Sequence, residues 1–311
     1  MALCFHYKLV KNKYNRMEYI VPCGQCLACK INKAYDWATR CMMEMEYYDD
    51  NNCCFLTLTY APKYLPKLGT SVPTLVKKDL QDFVKRLRIA GDRKKCKKLE
   101  AFFGCGEYGS KRGRPHYHLL CFGFSPDDLI YLKLSPTGYP IYRSPFLTRL
   151  WKKGHVFVGV GVNEHCAGYV ARYVNKKLHC KEDYHGAVEE FCVSSRNIPY
   201  GDKELAIGGR WCLDHLSTVY RGYLNDRKEP DKTRRIPRYF EKLIDKYGNH
   251  SLYEQVKLER KAKGIAKSQE RSIKMYNMTD EEKFDYYLSL NRLKKHQEDR
   301  LQTLRRAYEE E

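Results

Sequence analysis

No stretch of the 311-residue sequence approaches the run of roughly 20 apolar residues that a membrane-spanning helix needs, so no transmembrane segment is expected. The opening residues, MALCFHYKLVKNKYN, lack a long apolar core followed by a small-residue cleavage site, so no secretory signal is expected and the reading is cytoplasmic. The sequence contains no G-x-x-x-x-G-K-[ST] phosphate-binding loop, which removes P-loop nucleotide motors from consideration. Acidic residues are also in short supply, with 38 Asp and Glu set against 57 Lys and Arg, a net charge of +19.

That imbalance points to a polyanionic partner. From Arg221 onward there are 23 basic and 17 acidic residues, a net of +6, which leaves +13 on residues 1–220. The positive charge therefore belongs mainly to the body of the chain. Nucleic acid fits this pattern better than a merely soluble basic protein does.

Fourteen cysteines without a signal segment imply reduced thiols. Cys54, Cys105 and Cys121 lie inside apolar runs, where cysteine acts as a small hydrophobe. The stretch PCGQCLACK differs, because Cys23, Cys26 and Cys29 recur at every third position. Two readings stand for this cluster: a structural zinc completed by Cys41, or by Cys4 or His6 upstream, and a set of unligated thiols. A ferredoxin-type cluster would need a cysteine at position 33, and Lys33 breaks that pattern.

Residues 53–62, CCFLTLTYAP, read as a strand stopped by Pro62. Leu75, Leu80, Phe83, Val84 and Leu87 recur at helical spacing, with Gly91 as the stop. LEAFFGCGEYG and HYHLLCFGF are two strands joined by the turn GSKRGRP, and after a Pro-, Ser- and Gly-rich connection GHVFVGVGV is another. NEHCAGYVARYVNKKL reads as a helix with Asn163 as N-cap. The order implies an α+β fold, an antiparallel sheet with helices packed on it. The expected division is a Cys-rich segment 1–52, a core 53–180, an irregular and helical extension 181–250, and a helical region 251–311 that contains a Thr279–Glu282 capping box.

Two stretches carry chemistry. Residues two apart on a strand share a face, so His116 and His118 project together while Tyr117 points away. A hairpin turn centred between Lys111 and Arg112 sets residue 107 opposite residue 116, and residue 107 is glutamate. Glu107, His116 and His118 would then form a facial site for a divalent cation, provided the register holds, since a slip of one residue turns Glu107 away. On the helix, Tyr169 and Tyr173 lie four apart on one stripe near His165, Arg172 and Lys176, beside an apolar stripe that supplies the packing face. A phenol is a poor nucleophile near neutral pH, and a metal together with Lys176 or Lys177 would stabilise the phenolate and offset phosphodiester charge. Two such tyrosines imply two successive transesterifications.

FLTLTY, GRPHYHLLCFG and YVARYVNKK resemble, in order, the three motifs of HUH endonucleases that initiate rolling-circle replication. The paired tyrosines resemble those of small single-stranded DNA phage initiators, and VPCGQCLACK is similar to the opening of the gokushovirus-like microvirus branch. The resemblance implies a sheet of about five strands with the histidines on a central one. It implies Mg²⁺ or Mn²⁺ on Glu107, His116 and His118, and Tyr169 and Tyr173 as nucleophiles. It further implies a 5′-phosphotyrosine link with a free 3′-hydroxyl for a host polymerase, a borrowed host helicase, single-stranded origin DNA as substrate, and the host bacterial cytoplasm as location. Arg112, Arg114, Arg172 and Lys177 are the expected DNA contacts. Two positions depart from the pattern: Tyr60 ends the first motif where many relatives carry Asn, and Arg172 stands where Lys is frequent. Two rival readings are a one-tyrosine single-strand transposase of the same superfamily and a non-catalytic, zinc-stabilised nucleic-acid module that stacks bases on Phe102, Phe103 and Tyr117.

Overall fold

The computed structural model describes residues 8–11, 18–49, 52–68, 72–93, 96–109, 113–135, 138–161, 186–225, 233–279 and 281–282. The chain divides into two units, residues 3–211 and 212–311.

The first unit is built on a seven-stranded sheet: β1 (Cys53–Tyr60), β2 (Ala101–Tyr108), β3 (Pro115–Phe122), β4 (Ile130–Leu134), β5 (Pro140–Arg143), β6 (Gly154–Val160) and β7 (Phe191–Ser194). The strands lie in the order β7-β2-β3-β1-β6-β5-β4, and every neighbouring pair is antiparallel. The α+β class read from the sequence holds, but the strand count exceeds the expected five. β4 and β5 come from the stretch read as a connection, and β7 lies beyond residue 180, where the apolar pattern weakens.

Both faces of the central strands are covered, and strand alternation sorts the residues between them. Leu56, Leu58 and Tyr60 of β1 and Tyr117, Leu119 and Cys121 of β3 face helix α2 (Lys77–Asp92) and helix α3 (Pro145–Trp151), where they bury against Leu80, Phe83, Leu87 and Trp151. Each fully buried leucine or phenylalanine here contributes about 1.5–3 kcal/mol relative to exposure. The opposite face carries Cys53, Ala101, Phe103, Cys105, Leu120 and Phe122, which pack on Ala34, Ala38 and Cys41 of helix α1 (Leu27–Met45). Trp37 of α1 stacks on Phe103 with ring centroids 4.7 Å apart, and the Arg40 guanidinium lies 4.0 Å from the Trp37 ring. This helix was not anticipated, because its cysteine-rich entry masks the Ala34, Ala38, Cys41 spacing.

A short helix α4 (Gly209–Asp214) spans the division between the units. In the second unit, α5 (Leu216–Tyr220), α6 (Arg238–Tyr247) and α7 (His250–Tyr276) surround a small core of Val219, Phe240, Leu243, Ile244 and Tyr253. The capping box is present as read: Thr279 N–H donates to Glu282 Oε2 at 2.7 Å, and Glu282 N–H donates to Thr279 Oγ1 at 3.2 Å. No helix among the described residues is long and apolar enough to cross a membrane.

Candidate metal centre

The sheet face that packs on α1 is apolar at one end and polar at the other. Along β3 it runs Phe122, Leu120, His118, His116; along β2, Ala101, Phe103, Cys105, Glu107; along β1, Cys53, Phe55, Thr57, Thr59. Three adjacent strands therefore change from core to chemistry at the same level. The hairpin register is the one derived from the turn arithmetic: Glu107 pairs with His116, and Gly109 N–H closes the turn onto the Arg114 carbonyl at 3.0 Å. Gly113 sits at φ 57°, in the left-handed region that glycine enters without penalty.

Glu107 Oε1 lies 2.5 Å from His116 Nε2 and 3.0 Å from His118 Nε2. Each imidazole is anchored through its other nitrogen. His116 Nδ1–H donates to the Arg114 carbonyl at 3.1 Å, while His118 Nδ1 and the Thr57 hydroxyl are 3.0 Å apart. Phe55 stacks on the His118 ring at 5.3 Å. A ring whose Nδ1 carries its proton to a carbonyl presents a lone pair at Nε2 when neutral. One carboxylate oxygen then faces imidazole nitrogens that only a proton or a cation can bridge. Burial alone would push the Glu107 carboxyl up, but the two imidazoles outweigh it and draw it down to about 2, so it is ionised at neutral pH.

The three donor atoms lie within 4.8 Å of one another, and two imidazoles with one carboxylate suit a divalent cation of the Mn²⁺ type better than an all-oxygen Mg²⁺ cage. Glu107 and His118 are buried, at 3 % and 5 % exposure, whereas the His116 side chain is 19 % exposed, so the site opens to solvent on one side only. Thr57 had no signal in the sequence, since its partner is 61 positions away. Substituting Thr57→Val keeps the side chain's shape and removes the hydroxyl; we expect Mn²⁺ affinity to fall about 10- to 100-fold in calorimetric titration with little change in thermal stability. The same row of the sheet continues from His116 through Thr59 to the exposed His155 of β6, a further imidazole on this face that the sequence reading did not single out.

Tyr60, whose role the motif comparison left open, belongs to the other face. Its hydroxyl donates to Asp79 Oδ2 at 2.7 Å and lies 2.7 Å from the Tyr117 hydroxyl, which in turn donates to the Val76 carbonyl at the start of α2. Burial pushes both phenols up, Tyr117 to about 12 and Tyr60 further, so they are structural hydrogen-bonding groups and not nucleophiles. Arg114 Nη2 donates to the Tyr60 carbonyl at 2.5 Å, which ties this expected DNA contact to the end of β1. Phe102, Phe103 and Tyr117 are 9 %, 0 % and 0 % exposed, so the sheet does not offer them for base stacking and the non-catalytic rival loses its platform.

Cys23, Cys26 and Cys29 come together, with their sulfurs within 4.8 Å of one another. Cys41 does not join them. It lies 12 residues beyond Cys29 on α1, about 18 Å along the axis at 1.5 Å per residue, and is fully buried in the core, where burial pushes its thiol well up. Arg112, Tyr169, Arg172, Tyr173, Lys176 and Lys177 lie outside the described residues.

An antiparallel sheet flanked by helices, with an H-x-H pair and a carboxylate converging on an interior strand, defines a class of α+β protein with a candidate divalent-cation centre. The family model for the phage replication-associated protein ORF2 matches residues 53–178. The chain is 34% identical to replication-associated protein VP4 of Bdellovibrio phage phiMH2K over 266 residues, covering 82% of this chain and 77% of that protein. It is 29% identical to replication-associated protein ORF2 of Spiroplasma virus 4 over 246 residues (78% and 73% of the two chains) and 31% identical to replication-associated protein ORF4 of Chlamydia phage 1 over 250 residues (76% and 56%). No solved structure matches. The chain belongs to the family of phage replication-associated proteins.

Proposed function

We propose that the chain initiates rolling-circle replication by nicking and rejoining single-stranded viral origin DNA through tyrosine transesterification. The observation that carries this reading is the convergence of Glu107, His116 and His118 on one patch at the solvent-facing end of the sheet. The three residues would hold Mg²⁺ or Mn²⁺, which when bound polarises the scissile phosphodiester. The match to residues 53–178 takes in Tyr169, Tyr173, Lys176 and Lys177, which supports assigning the nucleophiles there.

The phenolate oxygen of one tyrosine attacks phosphorus, a P–O bond to tyrosine forms, and the P–O3′ bond breaks. The departing 3′-oxygen takes a proton and becomes the primer end for a host polymerase. Bond energy is conserved in the 5′-phosphotyrosine link, so the second tyrosine can attack a new junction without an external energy source. Lys176 stabilises the phenolate, and Arg112, Arg114, Arg172 and Lys177 hold phosphates. Strand separation falls to a host helicase, since the sequence has no P-loop.

Incubating the protein with an end-labelled viral-strand origin oligonucleotide and Mn²⁺ should give a band that survives boiling in SDS and disappears with protease. A shift seen only on native gels would overturn the catalytic reading in favour of simple binding. Affinity measured in EDTA should fall steeply with salt, by a log–log slope of about −2 or steeper, since each neutralised single-strand phosphate contributes about −0.7. A flat response would contradict the assignment of the basic body to DNA.

A further inference from the structure

We propose that Cys23, Cys26 and Cys29 bind a structural zinc ion at the entrance to α1, a second metal centre distinct from Glu107, His116 and His118. The sulfurs of Cys23 and Cys29 are 3.9 Å apart. That is far too long for a disulfide, whose sulfurs lie about 2.05 Å apart. It agrees with the edge of a tetrahedron built on Zn–S bonds of about 2.3 Å, which is about 3.8 Å. The third sulfur, from Cys26, lies within 4.8 Å of both.

The local backbone is shaped for this arrangement. Gly24 adopts φ +73°, with open space around it, and turns the chain back after Cys23. The turn aims two amides at one sulfur: Gln25 N–H and Cys26 N–H donate to Cys23 Sγ at 3.4 and 3.2 Å. Amide donors to sulfur favour thiolate, the form that ligates metal. Cys26 is the N-cap residue of α1 and Cys29 lies in its first turn, one helical step away on the same side, where the helix dipole also favours negative charge.

Three thiolates brought this close repel one another unless a cation sits between them. Soft sulfur selects Zn²⁺ over Mg²⁺ or Mn²⁺, so the two centres take different metals. The missing fourth cysteine at Lys33 counts against an iron–sulfur cluster, and the fourth zinc position falls to an exchangeable donor such as water. The strand Glu18–Val21, paired antiparallel with Lys8–Lys11, runs directly into Cys23, so the ion would fasten this hairpin to α1.

The test is metal content of the full-length protein purified without chelator, measured by plasma mass spectrometry. Wild type should retain about one zinc per chain, and the C23S/C26S/C29S variant less than about a tenth of that, while His116→Ala keeps it. Should the triple variant fail to fold, titrating wild type with a mercurial should release the zinc stoichiometrically as the thiols react. Cobalt-substituted wild type should show thiolate-to-metal absorption in the near ultraviolet. Absence of zinc, zinc retained by the cysteine variant, zinc lost with His116→Ala, or iron with acid-labile sulfide would each overturn the proposal. None of these readouts depends on DNA cleavage, so the zinc site and the nicking chemistry stand or fall separately.

Discussion

Replacing Tyr169 and Tyr173 together by phenylalanine is expected to abolish the covalent DNA adduct, a loss of at least about 10⁴-fold in cleavage, because nothing else supplies an equivalent nucleophile. DNA affinity should change by no more than about twofold, since backbone contacts from basic side chains dominate binding. The single variants separate the roles. If the phenols act in turn, each single variant still cleaves but fails to transfer the held end to a second strand. A denaturing gel reads the first step and a strand-transfer assay the second. An adduct formed by the double variant would remove these residues as nucleophiles. Tyr60→Phe and Tyr117→Phe supply the contrast: their hydroxyls bond to Asp79 and to the Val76 carbonyl on the buried face, so those substitutions act on stability, by about 1–3 kcal/mol for partners left unsatisfied, and leave the adduct intact.

What the sequence disclosed and what it withheld follow from the range of the interactions. The H-x-H pair and Glu107 are joined by a hairpin, so counting through the turn was enough to align them, and the Glu107–His116 register came out as derived. The α2 periodicity and the Thr279–Glu282 box are equally local. Thr57 and Phe55 stayed hidden because they meet His118 only across the β1–β3 pairing, for which no local sequence signal exists. Helix α1 was obscured because its first turn carries a thiol cluster, where spacing set by metal chemistry overlays the helical pattern. Strands β4 and β5 are short and contain proline and exposed residues, so they lack the alternation that marks a half-buried strand. Cys41 shows the opposite error: its identity invited a ligand role, whereas 3.6-residue periodicity places it in the core with Ala34 and Ala38.

His116→Ala should eliminate cleavage in Mn²⁺, by about 10²- to 10⁴-fold, while circular dichroism and melting temperature stay close to wild type. His116 is the better probe of the pair. His118 is buried against Phe55 and bonded to Thr57, so truncating it would disturb packing as well as ligation, whereas His116 lies at the open side of the site. Two donors survive in His116→Ala, so raising Mn²⁺ should restore part of the activity; a purely structural histidine would show no such recovery. Glu107→Gln should be as severe at low metal but not recover, because it removes the one negative charge that attracts the cation and leaves an amide among imidazoles. The sign of the pH response separates the groups. A carboxyl held at about 2 contributes its stabilisation above the ordinary glutamate range and loses it only as pH falls through about 2. An acid limb in the cleavage profile centred above about pH 4 therefore reports protonation of other groups at the site, and Mn²⁺ competing for those protons should move that limb to lower pH as its concentration rises. Undiminished cleavage by His116→Ala, or an acid limb that ignores Mn²⁺, would remove the metal from the reaction.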